Sequence, residues 1–458
     1  MTGAGLSALV CTCLAALFEV HSFPLTGQRA QVFLANADMD KTADIFVLDD
    51  LQLTAYPSAA NYAPVAIPLA ENTSAFDIAD LDGDGKDEVI AVCGDRILCY
   101  TIPAGGPVPP ARELFTLQTR LGPSQSPYPQ VIVVKHDGRS LLALPCDGSV
   151  ELRSADGTLV SRYDAIDKTR IMVSDNGMSA SLLNWSRRRR NRVDLQVWVS
   201  SHIELKTTTA DAPFAPSPED PWKRMSRVAV FDDLSQVPRA GFPLKTDGTT
   251  LLRAVCVPSR RHQNTTVRIR EAKSEEDDFL AKNITLGPER KYPGEQVRYD
   301  GDYPDFNGDG YVDLTLWKAP TPGMSVDTLT RAITGGVWPL EIVFHLFSPV
   351  KMRFEPTPWS RIALTAPVRW FLESAPIRNA VLCDLNSDKR TDVALSDTDH
   401  SFAVWLSTEK GFARSPDFRH TCTETIEDVA FHADLDGDGR TSIGLRTAKN
   451  LYLLKPCP

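Results

Sequence analysis

Short apolar runs bounded by turn residues recur along the whole chain, and their length and alternation predict strands. Phe76 and Ile78 alternate ahead of an acidic segment that Val89–Val92 follows, and Val429 and Phe431 precede another such segment. Leu314-Thr-Leu-Trp317 and Val393-Ala-Leu395 are runs of the same kind. Apolar runs of about four to eight residues between Gly, Asn, Asp and Ser clusters read as strands. Val131–Leu144 (VIVVKHDGRSLLAL) and Val228–Val257 add strand pairs around Asp-Gly turns. The expected fold class is all-β.

One acidic nonapeptide recurs between such runs. Its clearest copies begin at Asp80, Asp305 and Asp384, and a fourth begins at Asp434 and ends in Ser442. A fifth, Asp38–Asp44, reads as the same loop shortened by two residues. Oxygen groups at positions 1, 3, 5 and 9, with a backbone carbonyl at 7, suit a hard cation, and Gly at 4 and 6 permits the positive φ that tight curling needs. The candidate ligands are therefore Asp80, Asp82, Asp84, Lys86 and Glu88; Asp305, Asn307, Asp309, Tyr311 and Asp313; Asp384, Asn386, Asp388, Arg390 and Asp392; and Asp434, Asp436, Asp438 and Arg440. Lys86, Tyr311, Arg390 and Arg440 enter through their carbonyls. Flexible loops offering many oxygens favour Ca²⁺ over Mg²⁺, and the expected role is structural. The bland alternative is a solvated acidic turn. An EF-hand would carry Glu at position 12, where this chain has Ala91, Leu316, Leu395 and Leu445.

Asp-x-Asp/Asn-Gly-Asp-Gly-x-x-Asp between strands resembles the FG-GAP/VCBS repeats of integrin-α-like propellers. Lys410-Gly411-Phe412, leading towards Asp417-Phe418, is similar to the Gly-Phe hairpin that separates such loops. The resemblance implies a β-propeller of four-stranded antiparallel blades over residues 23–458. Loop starts at 38 and 80 stand 42 residues apart and those at 384 and 434 stand 50 apart, which matches one blade per repeat. Seven blades is the expected count, with eight the alternative. The gap from 305 to 384 predicts an insertion within 321–336, and the Pro-rich Thr207–Trp222 predicts another. Leu183–Leu195 reads as a loop of the same kind turned basic.

Length and charge narrow the class. At 458 residues the chain outgrows a single core, which suits a repeat architecture. A net charge of -10 argues against nucleic acid and anionic membranes as partners. Residues 1–22 read as a signal peptide, with Leu6–Phe18 as its apolar core and a cut before Phe23; a buried N-terminal helix is the alternative. No span is expected in the mature chain, which should be a secreted or cell-envelope monomer. Seven cysteines remain after such a cut, an odd number, and Cys93 and Cys99 could meet across a hairpin. Asn72, Asn184, Asn264 and Asn283 open N-x-S/T triplets.

Arg187, Arg188, Arg189, Arg190 and Arg192 form the densest charge cluster on an acidic chain. They read as a solvated hairpin tip or, more sharply, as a patch for acidic glycans or another polyanion; a dibasic protease site is a weaker option. Glu271–Asp278 reads as a solubilising face, and Trp198, Trp317 and Trp405 as core between blades, sugar stacking being the alternative. G-x-S-x-G, P-loop and H-E-x-x-H signatures are absent. The expected function is a calcium-stabilised binding or scaffold module for an extracellular protein or glycan. The alternative is a polysaccharide-degrading or sugar-converting enzyme with a basic, aromatic cleft at one end of the axis.

Overall fold

The computed structural model describes residues 17–164 apart from short breaks at 26–29, 39, 41, 50–51, 104–106, 120–127, 130–131, 137–138 and 147–148. Beyond these it describes 184–188, 192–199, 202–207, 226–231, 242–246, 252–258, 264–271, 284–293, 295–296, 303–318, 336–368, 370 and 377–457. The named elements are all strands. Among the described residues they form seven four-stranded sheets, one five-stranded sheet and a two-stranded ribbon of Phe347–Ser348 with Arg353–Phe354. The expected count of blades was seven, with eight open.

Taken in order, the first four sheets begin with Gln31–Ala35, Thr73–Ala79, Val133–His136 and Asn184–Arg188. The next four begin with Phe242–Pro243, Glu295–Gln296, Arg378–Cys383 and Ile426–Ala433. Each is an antiparallel meander, with three departures: Tyr128–Pro129 joins the edge of the second sheet parallel to Thr73–Ala79, the sixth sheet's Val337–His345 pairs with Ser360–Pro367 across the small ribbon, and the eighth sheet borrows a strand. The eighth takes its fourth strand, Phe18–Pro24, from the other end of the chain, where it pairs along its whole length with Asn450–Pro456.

Period-two alternation stacks these sheets. In Asp44–Asp49, Ile45 and Val47 face the eighth sheet's Leu451 and Leu453, while Phe46 and Leu48 face Phe76 and Ile78 of the second. In Glu88–Cys93, Val89 and Ala91 pack towards the first sheet, and Ile90 and Val92 towards Leu142 and Leu144 of the third. Such strands are apolar on both faces because each sheet is covered twice. The same face-to-face packing joins the fifth sheet to the sixth, the sixth to the seventh and the seventh to the eighth. With first and last sheets also packed together, the succession is that of a β-propeller.

Trp405 is a core residue between the sixth and seventh sheets, as expected. The Gly-Phe turn is an inter-sheet contact: Phe412 packs on Phe344 at 4.7 Å and Trp359 at 5.6 Å. A Cβ on Gly411, whose φ is 102°, would lie 2.7 Å from Ser360 Oγ, so only glycine fits there.

One expectation changes. Cys93 packs with the first–second sheet cluster and Cys99 with the second–third, so the two thiols lie on opposite faces of their sheet and cannot meet. The cut expected before Phe23 falls inside the closing strand. Residues 1–16 lie outside the described residues, as do most of 207–222 and 321–336; the strands flanking those two segments pair with each other. Of the arginine run, Arg188 pairs with Arg192 at a hairpin end, and Arg189 and Arg190 lie outside the described residues. Among the described residues no helix is long and apolar enough to cross a membrane.

A chain starting at Phe23 would lose the pairs from Phe18 to Ser22 and the burial of Phe18, itself worth about 2–3 kcal/mol. Thermal melting should place that variant well below the full chain, whereas one starting at Leu17 should melt with it. Equal melting of all three would remove the strand from the fold's requirements.

Candidate metal centre: the acidic loops

All five nonapeptides join the first and second strands of their sheets. Their geometry repeats residue by residue. The position-1 carboxylate collects the amides of positions 4 and 6: Asp305 from Gly308 and Gly310, Asp384 from Ser387 and Lys389, each at 2.7 Å, and Asp434 from Gly437 and Gly439 at 2.8 and 3.0 Å. Asp80 receives Gly83 at 2.6 Å. The position-5 carboxylate accepts the position-7 amide in the loops of Lys86, Tyr311, Arg390 and Arg440, at 2.8–2.9 Å. Positive φ at positions 4 and 6 turns these amides inward, through glycine in three loops and through Ser387 (67°) and Lys389 (68°) in the fourth.

This pattern corrects the reading of the first loop. Thr42 N donates to Asp40 Oδ1 and Asp40 N to Asp38 Oδ1, as positions 7 to 5 and 5 to 3 do elsewhere. Ala37 N donates to Asp44, the bond that position 2 makes to position 9 in the loops starting at Asp80, Asp305 and Asp384. The loop is thus a full nonapeptide, Asn36–Asp44, whose first residue is Asn. Counting back from the closing Asp, rather than forward from the first acid, would have found it. This loop is also closed from outside, because Ser58 Oγ donates to Asp40 Oδ2 at 2.6 Å.

Position 9 carries the electrostatic problem. Asp313 and Asp392 are wholly buried. Asp313 accepts Phe306 N and Phe347 N, and Asp392 accepts Leu385 N and Ser407 N, all at 2.7–2.8 Å. Asp44 does the same with Ala37 and Ser58. Donors on both oxygens favour the ionised form, since a proton would displace one of them. Burial opposes it and wins, with neighbouring loop acids adding to the effect. Asp392 and Glu88 are pushed up to about 7, Asp44 to about 6, and Asp313 well above the usual range. A buried anion whose oxygens are held by N–H groups calls for a positive charge nearby.

The donor set fits one. Asp80, Asp82 and Glu88 bring carboxylate oxygens within 4.8 Å of one another, as do Asp434, Asp436 and Asp438. The loops at 305 and 384 have Asn at position 3, whose amide reaches the position-5 carboxylate at 2.9 and 3.2 Å. Lys455 Nζ stands 3.3 Å from Asp436, so the last loop has part of its charge met by the chain itself.

Position 8, which sequence reasoning passed over, links neighbouring loops. Thr391 N donates to Asp305 O while Asp305 N donates to Thr391 Oγ1; Asp87 and Asn36 exchange the same two bonds. Ala43 N reaches Leu435 O, and Ser140 Oγ reaches Asp80 O in the third sheet. The acidic loops form a connected belt at one end of the ring.

No family model matches the chain, and no curated protein does. Among solved structures it is similar to BBS1N in complex with ARL6DN, at TM-score 0.34 and 9% identity over 96% of this chain and 98% of that one. It is also similar to a catalytically inactive virginiamycin B lyase from Staphylococcus aureus with quinupristin, at TM-score 0.35 and 9% identity over 96% and 100%. A protein from Lactobacillus plantarum scores 0.24. Likeness at this level carries no argument about chemistry.

Two predictions follow from the loop geometry. Ser387→Gly with Lys389→Gly relieves left-handed strain and should raise unfolding stability by about 1 kcal/mol in a denaturant titration; a loss would contradict the strain. In chelator, Glu88 and Asp392 hold protons in the folded chain that they release when unfolded. Their stabilisation is present in full below about pH 4 and falls as pH rises to about 7. Melting temperature should decline across that window, and Glu88→Gln/Asp392→Asn should flatten the decline. An unchanged slope in the variant would overturn the assignment.

Proposed function

We propose that this chain is a calcium-stabilised, eight-bladed propeller of the FG-GAP/VCBS kind, exported, and acting as a binding or scaffold module for an extracellular protein or glycan. The observation that carries the reading is the buried position-9 carboxylate of Asp313 and Asp392, held by backbone amides and set among further loop acids, a concentration of negative charge that calls for a positive one. Calcium held by the loops starting at Asp80, Asp305, Asp384 and Asp434 supplies that charge. The loop 36–44 is closed by Ser58 instead and stays outside the ligand set. At roughly 1 mM calcium, a site with Kd of roughly 10⁻⁴ M contributes about 1.4 kcal/mol, so several sites together rival the stability of a typical domain. Eight blades follow from one blade per sheet of four or five strands.

The test is melting in chelator, in calcium and in magnesium. Calcium should raise the melting temperature by several degrees or more over chelator, magnesium should do less, and Asp305→Ala/Asp384→Ala should blunt the gain. Identical melting in calcium and chelator would sink the proposal.

A further inference from the structure

The loops starting at Asp305 and Asp384 belong to successive sheets, the sixth and the seventh, and two separate hydrogen-bonded bridges join them. In the first, Asp305 N donates to Thr391 Oγ1 at 2.8 Å, and Thr391 N donates to Asp305 O at 2.7 Å. Thr391 stands between Arg390 and Asp392, the candidate ligands that end its own loop, and Asp305 is the ligand that begins the other. In the second, Ser407 N donates to Asp392 Oδ1 at 2.7 Å while Ser407 Oγ donates to Phe306 O at 2.7 Å. Phe306 N in turn donates to Asp313 Oδ2 at 2.8 Å, so Ser407 and Phe306 connect the two position-9 carboxylates.

Both bridges are shut away from water. Asp305, Phe306, Thr391 and Ser407 are buried, as are Asp313 and Asp392. Hydrogen bonds in such a place are costly to break, because the groups left behind find no other partner. The two loops also run close together: a Cβ on Gly308 would meet Lys389 O and Arg390 Cγ at 3.5 Å. Fixing Arg390 and Asp392 therefore fixes Thr391, and with it the backbone that carries the Asp305 carboxylate. The loop starting at Asp80 is placed differently. Its Asp87 exchanges bonds with Asn36 of the loop 36–44, which is outside the ligand set. On its other side Ser140 Oγ holds Asp80 O from the third sheet, which carries no acidic nonapeptide.

We propose that the loops at Asp305 and Asp384 bind calcium as a positively cooperative pair coupled through Thr391 and Ser407, while the loop at Asp80 binds on its own. The inference rests on the proposed calcium sites and adds the dependence of one upon another. Loading either loop stills residues that the other uses, so the second binding event has less ordering left to do. The effect is the same whichever loop fills first, since coupling between sites is reciprocal. Neither the Thr391 nor the Ser407 side chain is a ligand, and both act as positioning residues.

Calcium binding to the chelator-stripped full chain is measured by calorimetry, with the number of ions and the affinity of each class as readouts. Asp309→Ala should remove one ion and weaken another by about fivefold or more. Asp84→Ala should remove one ion and leave the others unchanged. Thr391→Val/Ser407→Ala should bind as many ions as the parent, and adding Asp309→Ala to it should weaken none of those that remain. Thr391→Ser keeps the hydroxyl, and in that background Asp309→Ala should weaken a second ion as it does in the parent. Four results would overturn the coupling while leaving calcium binding in place: equal weakening by Asp84→Ala and Asp309→Ala, weakening by neither, weakening that survives Thr391→Val/Ser407→Ala, or an Asp309→Ala chain that keeps every ion. A parent chain that binds no calcium would take the proposed function down with it.

Discussion

The buried carboxylates Asp44, Asp313 and Asp392, each ending a loop, tie three parts of a sheet together. In the sheet of Asp392, one oxygen holds the amide at the start of its own loop and the other holds Ser407, at the exit of the third strand. Asp313 does the same for Phe306 and Phe347, and Asp44 for Ala37 and Ser58. Position 2 of four loops, Leu81, Phe306, Leu385 and Leu435, is buried in a core cluster between sheets, and the carboxylate junction fixes the polar backbone around that anchor. The cost is a negative charge in a place with no water, and the surrounding arrangement of amides and acidic neighbours answers to that charge.

Neighbouring sheets depend on the same belt. Apolar faces join them through the depth of the ring, while the position-8 bonds join them at one rim. Asp87 and Thr391 each exchange two hydrogen bonds with the preceding loop. The loops are therefore coupled: a shift in one moves the amide and acceptor that position the next. Tight spacing adds to this, since a Cβ on Gly439 would lie 2.6 Å from Ser387 Oγ of the adjacent loop.

Much of this was legible in the residues. The Asp-x-Asp/Asn-Gly-Asp-Gly spacing and its flanking apolar runs located four loops and placed them between strands. What escaped had physical causes. Asn36 hid the first loop's start because an amide can stand where the other loops have a carboxylate. The pairing of Phe18–Pro24 with Asn450–Pro456 joins segments far apart in sequence, which no local pattern can show. Cys93 and Cys99 looked apposed because sequence spacing says nothing about which face a thiol occupies.

The seam also sets the order in which the molecule can be completed. Phe18–Pro24 and Asn450–Pro456 are partners over more than four hundred residues of sequence, so a nascent chain carries the former without its mate until the latter has emerged. Throughout synthesis that strand has an unsatisfied edge and two aromatic side chains in search of cover, the ingredients for pairing with the wrong chain. Once seated, the same strand fastens the first blade to the last, and the ring has no free end from which to unravel.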